Sequence, residues 1–263
     1  LAGIKVDYLP QLMEAEKYCA ARLTEFAANS FPQGQDLEPL LRQAAEESGL
    51  HYSAQQEQAI REAASSGLLL ITGGPGTGKT TVLRGILNLL GNMQLHYLLA
   101  APTGRAAKRL SEVTGEDAST IHRLLESGVD PATGKMVFAR DEDNPLKCDA
   151  VVVDEMSMVD VLLLSSLLRA IPKGKRLILV GDPDQLPPVG PGFPFSDMLR
   201  SGRLPTVCLT EIFRQAQKSL IVMNAHRVNR GELPELKTVT SDFFFMRRGS
   251  EDAVTQLIRD LCS

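Results

Sequence analysis

The chain has 263 residues, of which 43% are hydrophobic, 23% charged and 5% aromatic, a composition that excludes fibrous, disordered and disulfide-rich classes. Its apolar runs, such as 68–71 and 161–164, fall far short of the roughly 20 residues that span a bilayer, so no membrane partner is expected. The formal net charge of -4 comes from residues 1–50, with 8 acids and 4 bases, and the other 24 bases balance 24 acids, so a polyanion is not repelled by the rest of the chain.

Residue 1 is Leu, and no basic start, apolar run and small-residue cleavage site follow it, which predicts an excised or processed piece. Residues 10–30 place Leu12, Met13, Ala15, Cys19, Leu23 and Phe26 at helical spacing, and 36–48 carry a second stripe on Leu37, Leu40, Leu41 and Ala44. Residues 1–50 therefore read as a small helical N-terminal segment, with a turn at 30–34. From 54 onward, apolar runs at 68–72, 97–101, 150–154, 176–180 and 206–210 alternate with amphipathic stretches. Strands that are apolar throughout predict a mainly parallel sheet covered by helices on both faces, with ligands at the strands' carboxyl ends. A turn at 128–134 and a β-prone run at 135–140 predict a hairpin insertion over about 128–147. The last fifty residues predict a helix over 217–230, an aromatic strand at 243–245 and a helix over 251–261.

Cys19, Cys148, Cys208 and Cys262 form no C-x-x-C, and the four histidines form no ligand pair, so no structural metal is expected. Such thiols read as small apolar core residues in a reducing cytoplasm.

The strings that carry chemistry lie at strand ends. Gly73-Gly-Pro-Gly-Thr-Gly78-Lys79-Thr80 matches G-x-x-x-x-G-K-T/S between an apolar strand and a helical run at 81–90, the context of a phosphate loop. Gly74, Gly76, Thr77, Gly78 and Thr81 are candidate backbone contacts to phosphate, Lys79 neutralises oxygens, and Thr80 offers Mg²⁺ a hydroxyl. Val151-Val-Val-Asp154-Glu155 ends a second strand in two carboxylates. Asp154 is the candidate Mg²⁺ holder, and Glu155 the group that takes a proton from attacking water. In Gly181-Asp182-Pro-Asp184-Gln185-Leu-Pro-Pro188-Val189-Gly190, at the tip of a third strand, Gln185 suits sensing of a γ-phosphate. Residues 73–123 also hold six cations against three acids. Alone, Arg105, Lys108 and Arg109 read equally as a solvated helix face.

Together with Ala101-Pro-Thr103-Gly-Arg105-Ala-Ala-Lys108-Arg109, Thr120-Ile-His122-Arg123, Asp154-Glu-Met-Ser157-Met and Ile212-Phe-Arg214-Gln215, these strings resemble the RecD-type branch of superfamily 1 DNA helicases. The resemblance covers 53 to about 231, in order. The opening around Tyr8, Pro10, Met13 and Glu16 also resembles the segment before the motor in stand-alone RecD-type helicases.

The resemblance implies a RecA-like P-loop domain over 51–263 and use of ATP and Mg²⁺. It implies an adenine contact at Gln56, with Gln55 and Gln58 alongside, and a γ-phosphate contact at Arg214. Single-stranded DNA contacts fall on Thr103, Arg105 and His122, and on Pro188 and Val189 after the third strand, with 5′ to 3′ movement. Phe138, in the hairpin, corresponds to a strand-separating pin or to a plain surface hairpin. Motifs V and VI are absent, and only 49 residues follow Arg214, too few for another α/β domain of about 100 residues. The expectation is a first motor domain whose C-terminal partner domain lies elsewhere on the same polypeptide. A nucleotide-gated DNA-binding module without turnover is the alternative, and a P-loop kinase comes third.

Overall fold

The computed structural model describes residues 8–31, 38–39, 42–43 and 52–262, so the helix expected over 36–48 lies almost wholly outside the described residues. By contacts the chain divides into two units, Leu1–Glu211 and Ile212–Ser263. The first joins the N-terminal helix to the sheet instead of parting them at residue 50.

In the first unit, helix α1 (Pro10–Ala28) starts with proline at its first turn, where the missing N–H costs nothing. Helix α2 (Ala54–Ser65) begins with a capping box in which Ser53 accepts from the Gln56 N–H and Gln56 accepts from the Ser53 N–H. There follow β1 (Leu68–Gly73), α3 (Lys79–Asn92), β2 (Tyr97–Ala101), α4 (Gly104–Thr114), β3 (Ala118–Thr120) and the single turn α5 (Ile121–Leu124). A hairpin of β4 (Ser127–Val129) and β5 (Met136–Phe138) comes next, then β6 (Ala150–Val153), a 3-10 turn (Met156–Met158) and α6 (Val161–Ala170). Strand β7 (Arg176–Gly181), helix α7 (Pro194–Ser201) and strand β8 (Thr206–Leu209) complete the unit.

Six strands pair in the order β3-β2-β6-β7-β1-β8, every neighbour parallel. The five expected strands are all present; β3 escaped notice because three half-buried residues show no periodicity. Successive side chains on a strand face opposite ways. Leu68 and Leu70 thus join α1, α6 and α7 in one core cluster, while Leu69 and Ile71 join α2, α3 and α4 in another. Both faces are buried, which is why these strands read as unbroken apolar runs. On the first face Phe26 and Phe195 are fully buried, each burial contributing roughly 1.5–3 kcal/mol.

The hairpin pairs antiparallel, Ser127 opposite Phe138, around the turn at 130–135. Cys19 and Cys148 are buried, and burial pushes their thiols up to about 12 and about 11. Cys208 and Cys262, by contrast, are exposed, which corrects the expectation of four core thiols. Cys208 alternates outward on the two-sided edge strand β8, and Cys262 sits on a helix with no buried residue.

In the second unit, α8 (Arg214–Gln217) precedes α9 (Leu220–Asn229), the helix expected over 217–230, and α10 (Glu251–Cys262) follows. Ser219 caps α9 by accepting from the Val222 N–H. Residues 243–245 are not a strand. Among the described residues none from 212 onward joins a ladder, and an extended segment without a partner strand leaves its backbone groups unpaired. Among the described residues no helix is long and apolar enough to cross a membrane.

Candidate functional site

The strand order assembles the site. β7 lies between β1 and β6, with Thr72 opposite Gly181 and Val153 opposite Leu179, so the loops after these three strands leave the sheet side by side. Neighbouring strands stand about 5 Å apart, and sequence positions near 75, 155 and 183 become one surface.

The loop after β1 wraps back on itself. Gly76 and Gly78 have φ of 77° and 83°, a left-handed backbone that a side chain disfavours by about 1–2 kcal/mol. The Thr77 hydroxyl donates to the Gly74 carbonyl at 2.8 Å. A Cβ on Gly73 would lie 2.6 Å from Thr77 Oγ1 and 2.8 Å from the Leu209 carbonyl. Lys79 opens α3, and its Nζ donates to the carbonyls of Gly73 and, at 3.1 Å, Gly74. Thr80 is exposed and Thr81 half-buried in the same first turn.

The nearest carboxylate paired with Lys79 is Asp182, 3.9 Å from Nζ and only 4% exposed. Asp182 also organises its own loop, accepting from the Asp184 N–H through Oδ1 and from the Gln185 N–H through its carbonyl. Motif spacing assigns Asp182 no role, because its value lies in adjacency to β1, which chain order does not reveal.

At the tip of β6, Asp154 Oδ1 accepts from the Glu155 N–H at 2.8 Å. Burial pushes the Asp154 carboxyl up to about 6; the Glu155 N–H and the charges of Lys79 and Arg109 pull it down, while the Glu155 carboxylate pushes it up. Glu155 takes φ 55° and ψ 40°, a left-handed conformation uncommon outside glycine and frequent at functional sites. The turn it starts buries Ser157 completely, and the Ser157 hydroxyl donates to Gln185 Oε1 at 3.0 Å.

The adenine candidate Gln56 is 1% exposed, and its Nε2 is buried with no hydrogen-bond partner. Gln55 points elsewhere, bonding to Thr210 through both ends of its amide, so of these two only Gln56 holds an unanswered donor.

Next along the sheet edge, Thr103 caps α4 by accepting from the Ala106 N–H at 3.2 Å, and Arg105, Lys108 and Arg109 are exposed on that helix. His122 follows β3 and meets the Phe138 ring at a centroid distance of 5.8 Å. Val189 and Leu186 stand free in the loop after β7, while Pro188 is half-buried. Arg214 starts α8 in the second unit, and its side chain is outside the described residues.

The orphaned Gln56 amide, the glycine-walled loop around Lys79 and a buried carboxyl beside a second one fit a nucleoside triphosphate with a divalent cation. An AAA domain matches residues 56–191, just over half of the chain. The chain belongs to the AAA domain family. This AAA domain is similar to the ATP-dependent RecD2 DNA helicase of Deinococcus radiodurans, at 39% identity over 86% of this chain and 30% of that protein. It is similar too to the RecBCD enzyme subunit RecD of Mycolicibacterium smegmatis, at 41% identity over 55% of this chain and 30% of that one. Among solved structures, the Pif1 helicase from Candida albicans superposes with a TM-score of 0.51 at 27% identity, covering 71% of this chain and 46% of that one. The fold is the RecA-like parallel sheet with an added N-terminal helix. The chain spans about 30% of the length of these curated relatives.

Proposed function

We propose that this chain is the nucleotide-holding half of a helicase motor, coupling Mg·ATP hydrolysis to movement along single-stranded DNA and duplex unwinding. The observation that carries the reading is the strand order, which gathers Lys79, Asp182 with Gln185, and Asp154 with Glu155 on three adjacent tips. The candidate DNA residues Thr103, Arg105 and His122 follow the next two strands along the same edge.

In this reading Lys79 and the loop amides cradle the phosphates, Gln56 meets adenine, and Thr80 with Asp154 holds Mg²⁺. Bound Mg²⁺ supplies Lewis-acid polarisation of the phosphoryl oxygens. Glu155 accepts a proton from the attacking water, and Gln185 contacts the γ-phosphate; the resemblance to RecD-type helicases gives Arg214 the same role. Arg105 and its neighbours, with Pro188 and Val189, track the DNA backbone without reading sequence, as translocation requires. A second motor domain of the same polypeptide closes on the nucleotide, and the resemblance to RecD-type helicases gives 5′ to 3′ polarity.

The test is Mg·ATP binding and turnover with and without oligo(dT), for the chain and for Lys79→Ala and Glu155→Gln. Lys79→Ala should weaken nucleotide binding at least about tenfold, the loss of one charge-assisted contact. Glu155→Gln should keep binding and lower turnover by about 10²–10⁴-fold. Nucleotide-dependent DNA binding without turnover, left unaltered by Glu155→Gln, would favour a nucleotide-gated binding module, and phosphate transfer to a small acceptor would favour a kinase.

A further inference from the structure

A hydrogen bond joins the β6 tip to the β7 loop, from Ser157 Oγ to Gln185 Oε1 at 3.0 Å. Its two ends differ: Ser157 is fully buried, whereas Gln185 is exposed. Ser157 sits in a 3-10 turn held by the Met158 N–H to the Glu155 carbonyl and the Val159 N–H to the Met156 carbonyl. The turn is held by its own backbone bonds, and the exposed glutamine is tied to it through this contact.

We propose that Ser157 is a positioning residue that holds the Gln185 side chain in place, with Oε1 engaged and the Nε2 end left for the nucleotide. A primary amide has one accepting end and one donating end. When the serine hydroxyl occupies Oε1, both Nε2 hydrogens stay available, and a phosphate oxygen needs donors. The same turn begins at Glu155 and includes Ser157, so the proton-accepting carboxylate and the γ-phosphate contact move as one piece. The loop beyond Gln185 carries the exposed Leu186 and Val189, which ties their placement to the same bond. The inference rests on reading the strand tips as an ATP site with Gln185 at the γ-phosphate.

The experiment compares Kd for Mg·ATPγS and Mg·ADP in the chain and in Gln185→Ala, Ser157→Ala and Ser157→Thr, with the Gln185 side-chain amide signals recorded by NMR in the nucleotide-free chain. The expected result is a preference for ATPγS that falls about fivefold in Gln185→Ala, the worth of one hydrogen bond. Ser157→Ala should lose it to a similar extent with ADP affinity unchanged, and Ser157→Thr, which keeps the hydroxyl, should regain it. The Gln185 amide signals should move in Ser157→Ala even before nucleotide is added. A preference kept in Ser157→Ala but lost in Gln185→Ala overturns the positioning role and leaves the ATP site standing. Equal weakening of ADP and ATPγS by Ser157→Ala marks a merely structural serine and overturns it too. A chain that binds both nucleotides without preference removes Gln185 from the γ-phosphate, and the inference falls with that reading.

Discussion

Asp154 shows how one side chain is tuned by opposing terms. Burial disfavours its charged form more than Lys79 and Arg109 favour it, so its carboxyl sits near 6 instead of 3.8. A raised carboxyl pKa stabilises the fold in the protonated form. That contribution is complete below about 3.8 and is lost as pH rises through about 6. The nucleotide-free chain should therefore be less stable at pH 7.5 than Asp154→Asn, by on the order of 1–2 kcal/mol after allowing for the partial exposure of the group. Thermal unfolding of both forms checks this, and the gap should close towards pH 4. Gln56 is a second case, because its Oε1 completes the cap of α2 while its Nε2 goes unanswered. Gln56→Ala should cost about 1 kcal/mol of stability through the cap and reduce the preference for ATP over GTP, read as a ratio of Kd values.

Among the secondary-structure elements, a tight steric limit lies where β1 turns into the Gly73–Thr80 loop. A methyl on Gly73 would press on Thr77 and on the Leu209 backbone of β8 at once, at 2.6 and 2.8 Å. Neither wall is the far end of a flexible side chain, so Gly73→Ala should destabilise the chain by about 1–3 kcal/mol and weaken nucleotide binding. Chemical denaturation and a binding titration separate the two effects. Gly181 is closed off comparably by the Phe195 ring, 2.8 Å from a built Cβ, which holds the β7 tip near the Ser157 turn. Helix α7, which supplies that ring, begins at Pro194 after a left-handed Gly192.

For the first unit taken together, α1 is part of the core. Ala15, Cys19, Leu23 and Phe26 join the cluster that covers one face of the sheet, and the Arg22 guanidinium donates to the Ile171 carbonyl at 2.7 Å. Loss of a buried Phe side chain alone costs about 3–5 kcal/mol. Deleting residues 1–29 should therefore lower the unfolding midpoint sharply and make the remainder bind a hydrophobic dye. Net charge says little about the local field at α4, where Arg105, Lys108 and Arg109 are exposed, because the excess of acids over bases lies in residues 1–50. If Arg105 and Lys108 each neutralise one phosphate, their double alanine variant should reduce the slope of log K against log salt by about 1.4 on single strands.

Much of this was written in the chain order. Strands buried on both faces appear as continuous apolar runs, and the Gly73–Thr80 loop and the Asp154-Glu155 pair stand out through local spacing, because each is one turn or one strand end. The hairpin was legible from its turn residues. Segment 243–245 was misread because strand propensity does not supply a partner, and Cys208 because an edge strand has a wet side. The order of strands in the sheet was not legible at all. It depends on how helices pack on the two faces, and that packing brings Asp182 to Lys79 and Ser157 to Gln185. Local spacing identified the chemical groups; long-range packing chose which of them touch, since a hydrogen bond or an ion pair acts over about 3 to 4 Å regardless of the distance along the chain.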